Sequence, residues 1–128
     1  MDSNVDIVRS IYKAGLAGDL EGMLQHIDPQ FTCREASSLP YAGEYHGHEG
    51  FSRLMAAVFG VFKAFEVDVR EIHDAGQTVV AVIQLRVTLK ESGRVVEMPV
   101  AEIWQLRDGK AVDLRPFYWD TAALRPDA

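Results

Sequence analysis

The chain has 128 residues, of which 48% are hydrophobic and 25% are charged, and its formal net charge is −6. This length and composition predict one globular domain over residues 1–128, large enough to bury a core and to line one modest pocket. The acidic balance argues against nucleic acid or an anionic membrane as a partner, and no apolar run approaches the ~20 residues that cross a bilayer.

The first ten residues contain no apolar secretory signal, and the one cysteine, Cys33, can form no internal disulfide. Both observations favour a cytoplasmic protein. Cys33 is interpreted as a small buried hydrophobic residue and not as a nucleophile.

Two helices are predicted at the start of the chain. Ser3 and Asp6 form an S-x-x-D start signal, and the apolar residues behind it recur at helical spacing until Gly18 ends the helix. Asp19 can cap a short second helix that runs through Leu24 and stops before residues 28–29.

A third helix follows a short strand and a loop. The strand is predicted at residues 31–35 and the loop at residues 36–47, the latter with room for one further short strand. From Glu49 or Gly50 to about Phe62, a wide and bulky apolar stripe predicts a helix that lies over a sheet.

The second half of the chain changes from helical to alternating periodicity. The predicted strands cover residues 65–69, 79–89, 95–107 and 111–118, and glycine-containing turns at Gly76, Ser92-Gly93 and Asp108-Gly109 separate them. Strands joined by tight turns are antiparallel, so the sequence predicts an α+β fold with the helices on one face of a sheet.

Glu102 stands alone among apolar residues. The even positions of its strand, from Val96 to Leu106, are otherwise apolar and include Trp104. A carboxyl on that inward face would be desolvated and kept protonated, and could then donate a hydrogen bond to a developing enolate oxygen. The alternative is a structural ion pair between Glu102 and Arg86 on the neighbouring strand.

Two further residues are candidates for the same chemistry. Glu35 closes the first short strand and could accept a proton at a pocket rim, or could be a solvated carboxylate beside Arg34. Tyr12 lies on the apolar stripe of the first helix and could donate to a ligand oxygen, or could pack and bond to a neighbour.

The loop and the last strand supply other candidates. His46 and His48 lie two residues apart before the third helix, where they could line the pocket mouth or only bracket Gly47; further ligands at metal spacing are missing, so no metal is expected. In residues 114–119, alternation separates Leu114, Pro116 and Tyr118 from Arg115, Phe117 and Trp119. One set should face the interior, and the other could form a dimer patch.

Three segments give the chain a family resemblance. They are AGDLEGMLQHIDPQFTC after the first helix, YHGHEGF at the third, and EIWQLRDGKAVDLRPFYWD near the end. On these, the whole chain resembles the nuclear transport factor 2-like superfamily, and more narrowly its ketosteroid isomerase and SnoaL-like polyketide cyclase branch.

The resemblance implies a curved antiparallel sheet wrapped around three N-terminal helices, so that sheet and helices together form a cone with an apolar cavity. It also implies a homodimer. It places Glu35 at the family's catalytic base, Glu102 at its protonated acid and Tyr12 near its oxyanion tyrosine. Both acids are glutamates where the isomerases have aspartates, so a true steroid isomerase is not expected. The remaining predicted pocket residues are Tyr45, His46, Met55, Phe59, Val100, Trp104, Pro116 and Tyr118.

The favoured hypothesis is a cofactor-independent isomerase, cyclase or dehydratase that acts on a small hydrophobic carbonyl compound. Glu35 would move a proton next to the carbonyl, and neutral Glu102 would stabilise the enolate oxygen. Two alternatives remain open: a non-catalytic module that binds a small molecule or a protein, and a structural domain whose cavity is filled by side chains.

Overall fold

The computed structural model describes residues 2–127, and its first two elements form a helical hairpin. Helix α1 (Asn4–Leu16) begins with the predicted capping box, in which the Ser3 hydroxyl accepts from the Asp6 N–H while the Asp6 carboxylate accepts from the Ser3 N–H. Helix α2 (Leu20–Leu24) is capped by the Asp19 carboxylate. Both predicted helix starts are confirmed.

Six strands form one curved, unclosed sheet in the order β2-β1-β6-β5-β4-β3. The strands are β1 (Ile27–Glu35), β2 (Gly43–His46), β3 (Phe62–Ala75), β4 (Thr78–Leu89), β5 (Val95–Arg107) and β6 (Lys110–Tyr118). Neighbours are antiparallel except β1 and β6, which are parallel. This pair corrects the expectation of a wholly antiparallel sheet, because the tight-turn argument constrains only strands that follow each other along the chain.

Strand β1 begins four residues earlier than predicted. Its pairing with β6 holds at Ile27 and resumes at Thr32, with an irregularity between them. Pro29 lies in this interval, where a proline without an N–H interrupts no regular ladder bond. The Asp-Pro pair therefore does not separate helix from strand as the sequence suggested.

Helix α3 (Gly47–Val61) connects β2 directly to β3 and covers the sheet. It begins two residues before the predicted start, and Phe51, Leu54 and Val58 form its buried face. A 3-10 helix at Thr121–Leu124 closes the described chain. None of the helices described over residues 2–127 is long and apolar enough to cross a membrane.

The core lies between the helices and one face of the sheet. Alternate residues of β4, from Val79 to Leu89, are buried in one cluster with the inner faces of α1 and α3. The predicted α+β arrangement, with the helices on one sheet face, is confirmed. Glu102 takes its place in this inner face opposite Ala81 on β4 and Pro116 on β6.

Candidate functional site

A pocket of about 640 Å³ opens between the three helices and the inner face of the sheet. Strands β1, β3, β4, β5 and β6 contribute to its wall. Its lining is Ile11, Tyr12, Gly15, Leu16, Gly18, Leu20, Met23, Glu35, Phe51, Ser52, Leu54, Met55, Ala56, Val58, Phe59, Phe65, Val67, Ile83, Leu85, Val100, Glu102, Trp104, Leu114 and Tyr118. The wall is mostly apolar, with a few polar side chains that are described next.

Glu102 ends a short chain of hydrogen bonds. The Trp104 indole Nε1–H donates to the Tyr12 hydroxyl at 3.0 Å, and that hydroxyl donates to Glu102 Oε1 at 2.5 Å. The rings of Tyr12 and Trp104 also meet edge-on, with centroids 5.8 Å apart. Because the Tyr12 proton is used on Glu102, it is Glu102 and not Tyr12 that can offer a further proton to a ligand.

The environment of Glu102 favours its protonated form. Desolvation raises the pKa of Glu102, and the bond from Tyr12 lowers it in part. Burial, and then the adjacent Glu102 carboxyl, raise the pKa of Tyr12 above its ordinary value, so Tyr12 keeps its proton.

Glu35 is the second carboxyl of the pocket. It ends β1, and only 9% of its surface is exposed. Its Oε1 atom is buried without a hydrogen-bond partner among the described residues. Desolvation first, and the repulsion that Glu102 exerts when it is ionised second, raise the pKa of Glu35 to about 8. An unpartnered buried carboxyl is costly for a fold, so its retention is typical of a functional site.

A tyrosine pair lies beside Glu35. The Tyr41 hydroxyl donates to the Tyr118 hydroxyl at 2.8 Å, and of the two only Tyr118 lines the pocket. The Tyr118 hydroxyl is thus held by Tyr41 at the wall of the pocket. Burial is the main cause that raises the pKa of Tyr118, and the Glu35 carboxyl adds to it.

The two alternative ion pairs suggested by the sequence are both wrong. The guanidinium of Arg86 lies 3.2 Å from Glu97 and 3.8 Å from Glu66, so it does not pair with Glu102. Alternation along β4 accounts for this, because Arg86 is exposed on the outer face. Arg34 likewise contacts Asp113 at 2.8 Å and Glu44 at 3.6 Å and leaves Glu35 unpaired.

The scan against protein-family models gives a match to the SnoaL-like domain over residues 8–114. The chain belongs to the SnoaL-like domain family. The comparison with curated proteins gave no match.

Solved structures of the same fold cover nearly all of this SnoaL-like domain. An NTF2-like protein from Burkholderia thailandensis is 26% identical, with a TM-score of 0.92, and covers 100% of this chain and 99% of its own. A SnoaL-like polyketide cyclase from Jannaschia is 23% identical, with a TM-score of 0.80 and coverages of 91% and 85%. A hypothetical protein from Catenulispora acidiphila with a ketosteroid isomerase-like fold, solved with trimethylamine, is 14% identical, with a TM-score of 0.79 and coverages of 99% and 98%. The predicted superfamily is confirmed.

The structure brings most of the predicted site residues of the SnoaL-like domain together. All three predicted catalytic residues line the pocket, and so do Met55, Phe59, Val100, Trp104 and Tyr118. The roles predicted for these residues are not decided by their placement.

Three predicted pocket residues do not line it. Tyr45 is buried beneath α3 and donates to the Tyr41 carbonyl at 2.9 Å. His46 is exposed at the end of β2, within 3.2 Å of the Thr32 hydroxyl. Pro116 is buried opposite Glu102 without reaching the cavity. The sequence placed these residues by nearness along the chain or by alternation, neither of which fixes depth.

The histidines of the loop bind protein groups. His48 Nε2 lies 2.6 Å from the carbonyl of Ile27, which ties the start of α3 to the start of β1. Within residues 2–127, no group of three or more His, Cys, Asp and Glu side chains could hold a metal ion.

Sequence reasoning did not assign the α1–α2 hairpin or the start of β3 to the pocket. Leu16, Leu20 and Met23 come from the α1–α2 hairpin, and Phe65 comes from the start of β3. It also missed Tyr41, which supports Tyr118 from behind. The helical stripes and the strand alternation identified most of these residues as apolar, but a stripe does not distinguish a residue in the core from one at a cavity.

Proposed function

We propose that this SnoaL-like domain catalyses proton transfer next to the carbonyl group of a small, mostly apolar carbonyl compound, without a cofactor. Isomerisation, cyclisation and dehydration all pass through this step. The observation that carries the proposal is the presence of two carboxyls, the buried Glu35 and the half-buried Glu102, in one apolar pocket. Among the described residues, no Lys, Arg or His lines this pocket. Burial raises the pKa of both carboxyls, and within residues 2–127 only Glu102 accepts a hydrogen bond from a neighbouring side chain, so the two acids differ in their partners.

Glu102 is assigned as the hydrogen-bond donor. The bonds run in one direction from Trp104 through Tyr12 to Glu102 Oε1. A proton on Oε2 of Glu102 would extend this chain of hydrogen bonds by donating to a ligand oxygen. Bonds in such a chain polarise one another, so the acid is prepared to stabilise negative charge as it develops on that oxygen.

Glu35 is assigned as the base. Its ionised form has no protein donor among the described residues to weaken its basicity, and its pKa of about 8 matches proton abstraction near neutral pH. In the reaction, Glu35 takes the proton from the carbon next to the carbonyl, and the C–H electrons form the enolate. Return of that proton at another carbon completes an isomerisation.

The test is hydrogen–deuterium exchange of cyclohexanone and 1-tetralone in D₂O, followed by proton NMR. Glu35→Gln should lower the exchange rate by about 10²–10⁴-fold, since it removes the base. Glu102→Gln should lower it by about 10²–10³-fold, since it removes the donor at the developing oxyanion. Glu97→Gln is the matched control on the outer face of the same strand and should exchange at the wild-type rate.

The pH profile separates the two roles. The wild-type rate should rise with pH and level off above about 8, where Glu35 is ionised. Glu102→Gln should keep a single inflection at the wild-type pH with a lower plateau, because a neutral Glu102 has no charge that alters the pKa of Glu35. An inflection moved to lower pH would show that Glu102 is ionised and is not the donor. If both variants exchange as fast as the wild type, the mechanism is wrong. Ligand binding without exchange would instead favour the non-catalytic binding module.

A further inference from the structure

The mouth of the pocket is unusually apolar for a surface. Leu16, Leu20, Phe59 and Phe65 all line the pocket, and each is exposed over 37% to 64% of its surface. We refer to these four residues as the rim. They come from the end of α1, from α2, from the last turn of α3 and from the start of β3, so they surround one opening.

The aromatic side chains of the rim contact one another. The rings of Phe59 and Phe65 meet edge-on with centroids 6.0 Å apart, and Phe65 also lies 6.1 Å from the buried ring of Phe62. Three other large hydrophobic residues are exposed in the described chain, and none of them lines the pocket. A contiguous exposed apolar surface at the mouth of a cavity is typical of a place that an apolar binding partner covers.

The inner part of the pocket lining, in contrast to the apolar rim, carries polar groups. Glu35, Glu102 and Tyr118 belong to the sheet side, where the neighbouring Val100 and Trp104 are buried. The helix side adds the hydroxyls of Tyr12 and Ser52, which donate to Glu102 and to the His48 carbonyl. The rim offers no side-chain donor or acceptor. The pocket is thus polar at its inner end and apolar at its opening.

We propose that the pocket takes an elongated amphiphile, with an uncharged oxygen-bearing head between Glu35 and Glu102 and an apolar tail that reaches the rim. This inference rests on the proposed function for the position of the head. The occupant of the rim is the tail of the ligand itself, because the rim and the cavity are one continuous apolar surface. A carboxylate head is not expected, since the part of the chain that the structure describes lines the pocket with two carboxyls and no Lys, Arg or His, and an unpaired buried anion is costly.

The test is the affinity of 2-alkanones from 2-hexanone to 2-undecanone, measured by calorimetric titration at pH 7. Burial of one methylene corresponds to about a fourfold gain in affinity, and a half-covered tail at the rim should gain two- to fourfold per carbon. Decanoate, which is similar in length to 2-undecanone, should bind at least tenfold more weakly. Phe59→Ser and Phe65→Ser should weaken the long ketones by a larger factor than they weaken 2-hexanone, so that the gain in affinity per carbon becomes smaller.

Phe117→Ser is the matched control. Phe117 is 52% exposed, close to Phe59 at 56%, but it lies on the outer face of the sheet away from the pocket. It should leave the whole series unchanged. Because the rim residues are exposed, their substitution should not unfold the protein, and circular dichroism checks this.

Four results would overturn the inference. The first two concern the ligands: no ketone binds, or decanoate binds as tightly as 2-undecanone. The other two concern the variants: the rim variants keep the wild-type dependence on chain length, or sedimentation shows that Phe59→Ser dissociates an oligomer. The last result would make the rim a contact between copies of the chain. Failure of the proposed function is distinguished by deuterium exchange, which scores the acids with short ketones and does not depend on the rim.

Discussion

At the scale of single residues, two carboxyls decide the character of the pocket. Glu102 has a donor in Tyr12, whereas Glu35 has no partner in the described chain, so the fold bears the cost of burying Glu35. A buried acid with a raised pKa makes stability depend on pH. This dependence gives a measurement that needs no substrate.

Glu35 should make the protein less stable as pH rises. Its pKa is about 8 in the folded state and near its ordinary value of 4.5 when unfolded, so the folded state holds the proton more tightly. The stabilisation from that proton is complete below about pH 4.5 and is lost as pH rises to 8, at roughly 1.4 kcal/mol per pH unit.

The check is urea unfolding of wild type and Glu35→Gln from pH 5 to pH 9. The free-energy difference between them should move in favour of the variant up to pH 8 and stay constant above it. Glu97→Gln, which changes a surface carboxyl, should follow the wild type over this window. A constant difference between wild type and Glu35→Gln would show that Glu35 titrates normally.

At the scale of elements, the position of α3 depends on a close approach to β2. Gly50 is buried in the first turns of α3, and a Cβ built there would lie 2.7 Å from the carbonyl carbon of Tyr45. The absence of a side chain therefore lets the helix begin directly after the strand. Tyr45 is buried at this contact and does not line the pocket, contrary to its predicted place.

Two glycines of α3 should respond to alanine in opposite ways. Gly50→Ala should destabilise the protein by about 1–3 kcal/mol, because the new methyl meets backbone that cannot move aside. Gly60→Ala should be neutral or stabilising by up to about 1 kcal/mol, because nothing lies within 4 Å of its Cβ and alanine is the better helix former. Urea unfolding measures both, and equal effects would contradict the close approach.

At the scale of the whole molecule, we propose a homodimer through the outer face of the sheet. Phe117 and the 80%-exposed Trp119 lie there, next to Ala101 and Pro99 of β5. Aromatic residues in this number are costly to leave in water and are enriched at interfaces. The pocket lies on the other face of the sheet, so assembly and ligand binding should be separable.

A crossed pair of variants tests this separation. Phe117→Ser should shift sedimentation from dimer towards monomer and leave 2-undecanone affinity unchanged. Phe59→Ser should keep the dimer and weaken 2-undecanone. A wild-type protein that sediments as a monomer at all concentrations would disprove the dimer without affecting the pocket.

The sequence by itself determined the elements and the faces of the chain. Strand alternation placed Glu102 among inward apolar residues, and helical spacing placed Tyr12 on the buried stripe of α1, because these periods follow from backbone geometry alone. The turns fixed which neighbouring strands are antiparallel. These local rules were sufficient for the α+β fold and for most of the pocket wall.

Only the tertiary structure decided which polar groups meet and how deeply they lie. Tyr12, Glu102 and Trp104 form one chain of hydrogen bonds although Tyr12 stands 90 residues from Glu102. The sequence offered Arg86 and Arg34 as partners for the acids because they are near in strand register or along the chain. Both point to the outer face, so Glu35 has no partner among the described residues. Contacts between distant elements depend on how the sheet and helices pack, and that is not written in any local pattern.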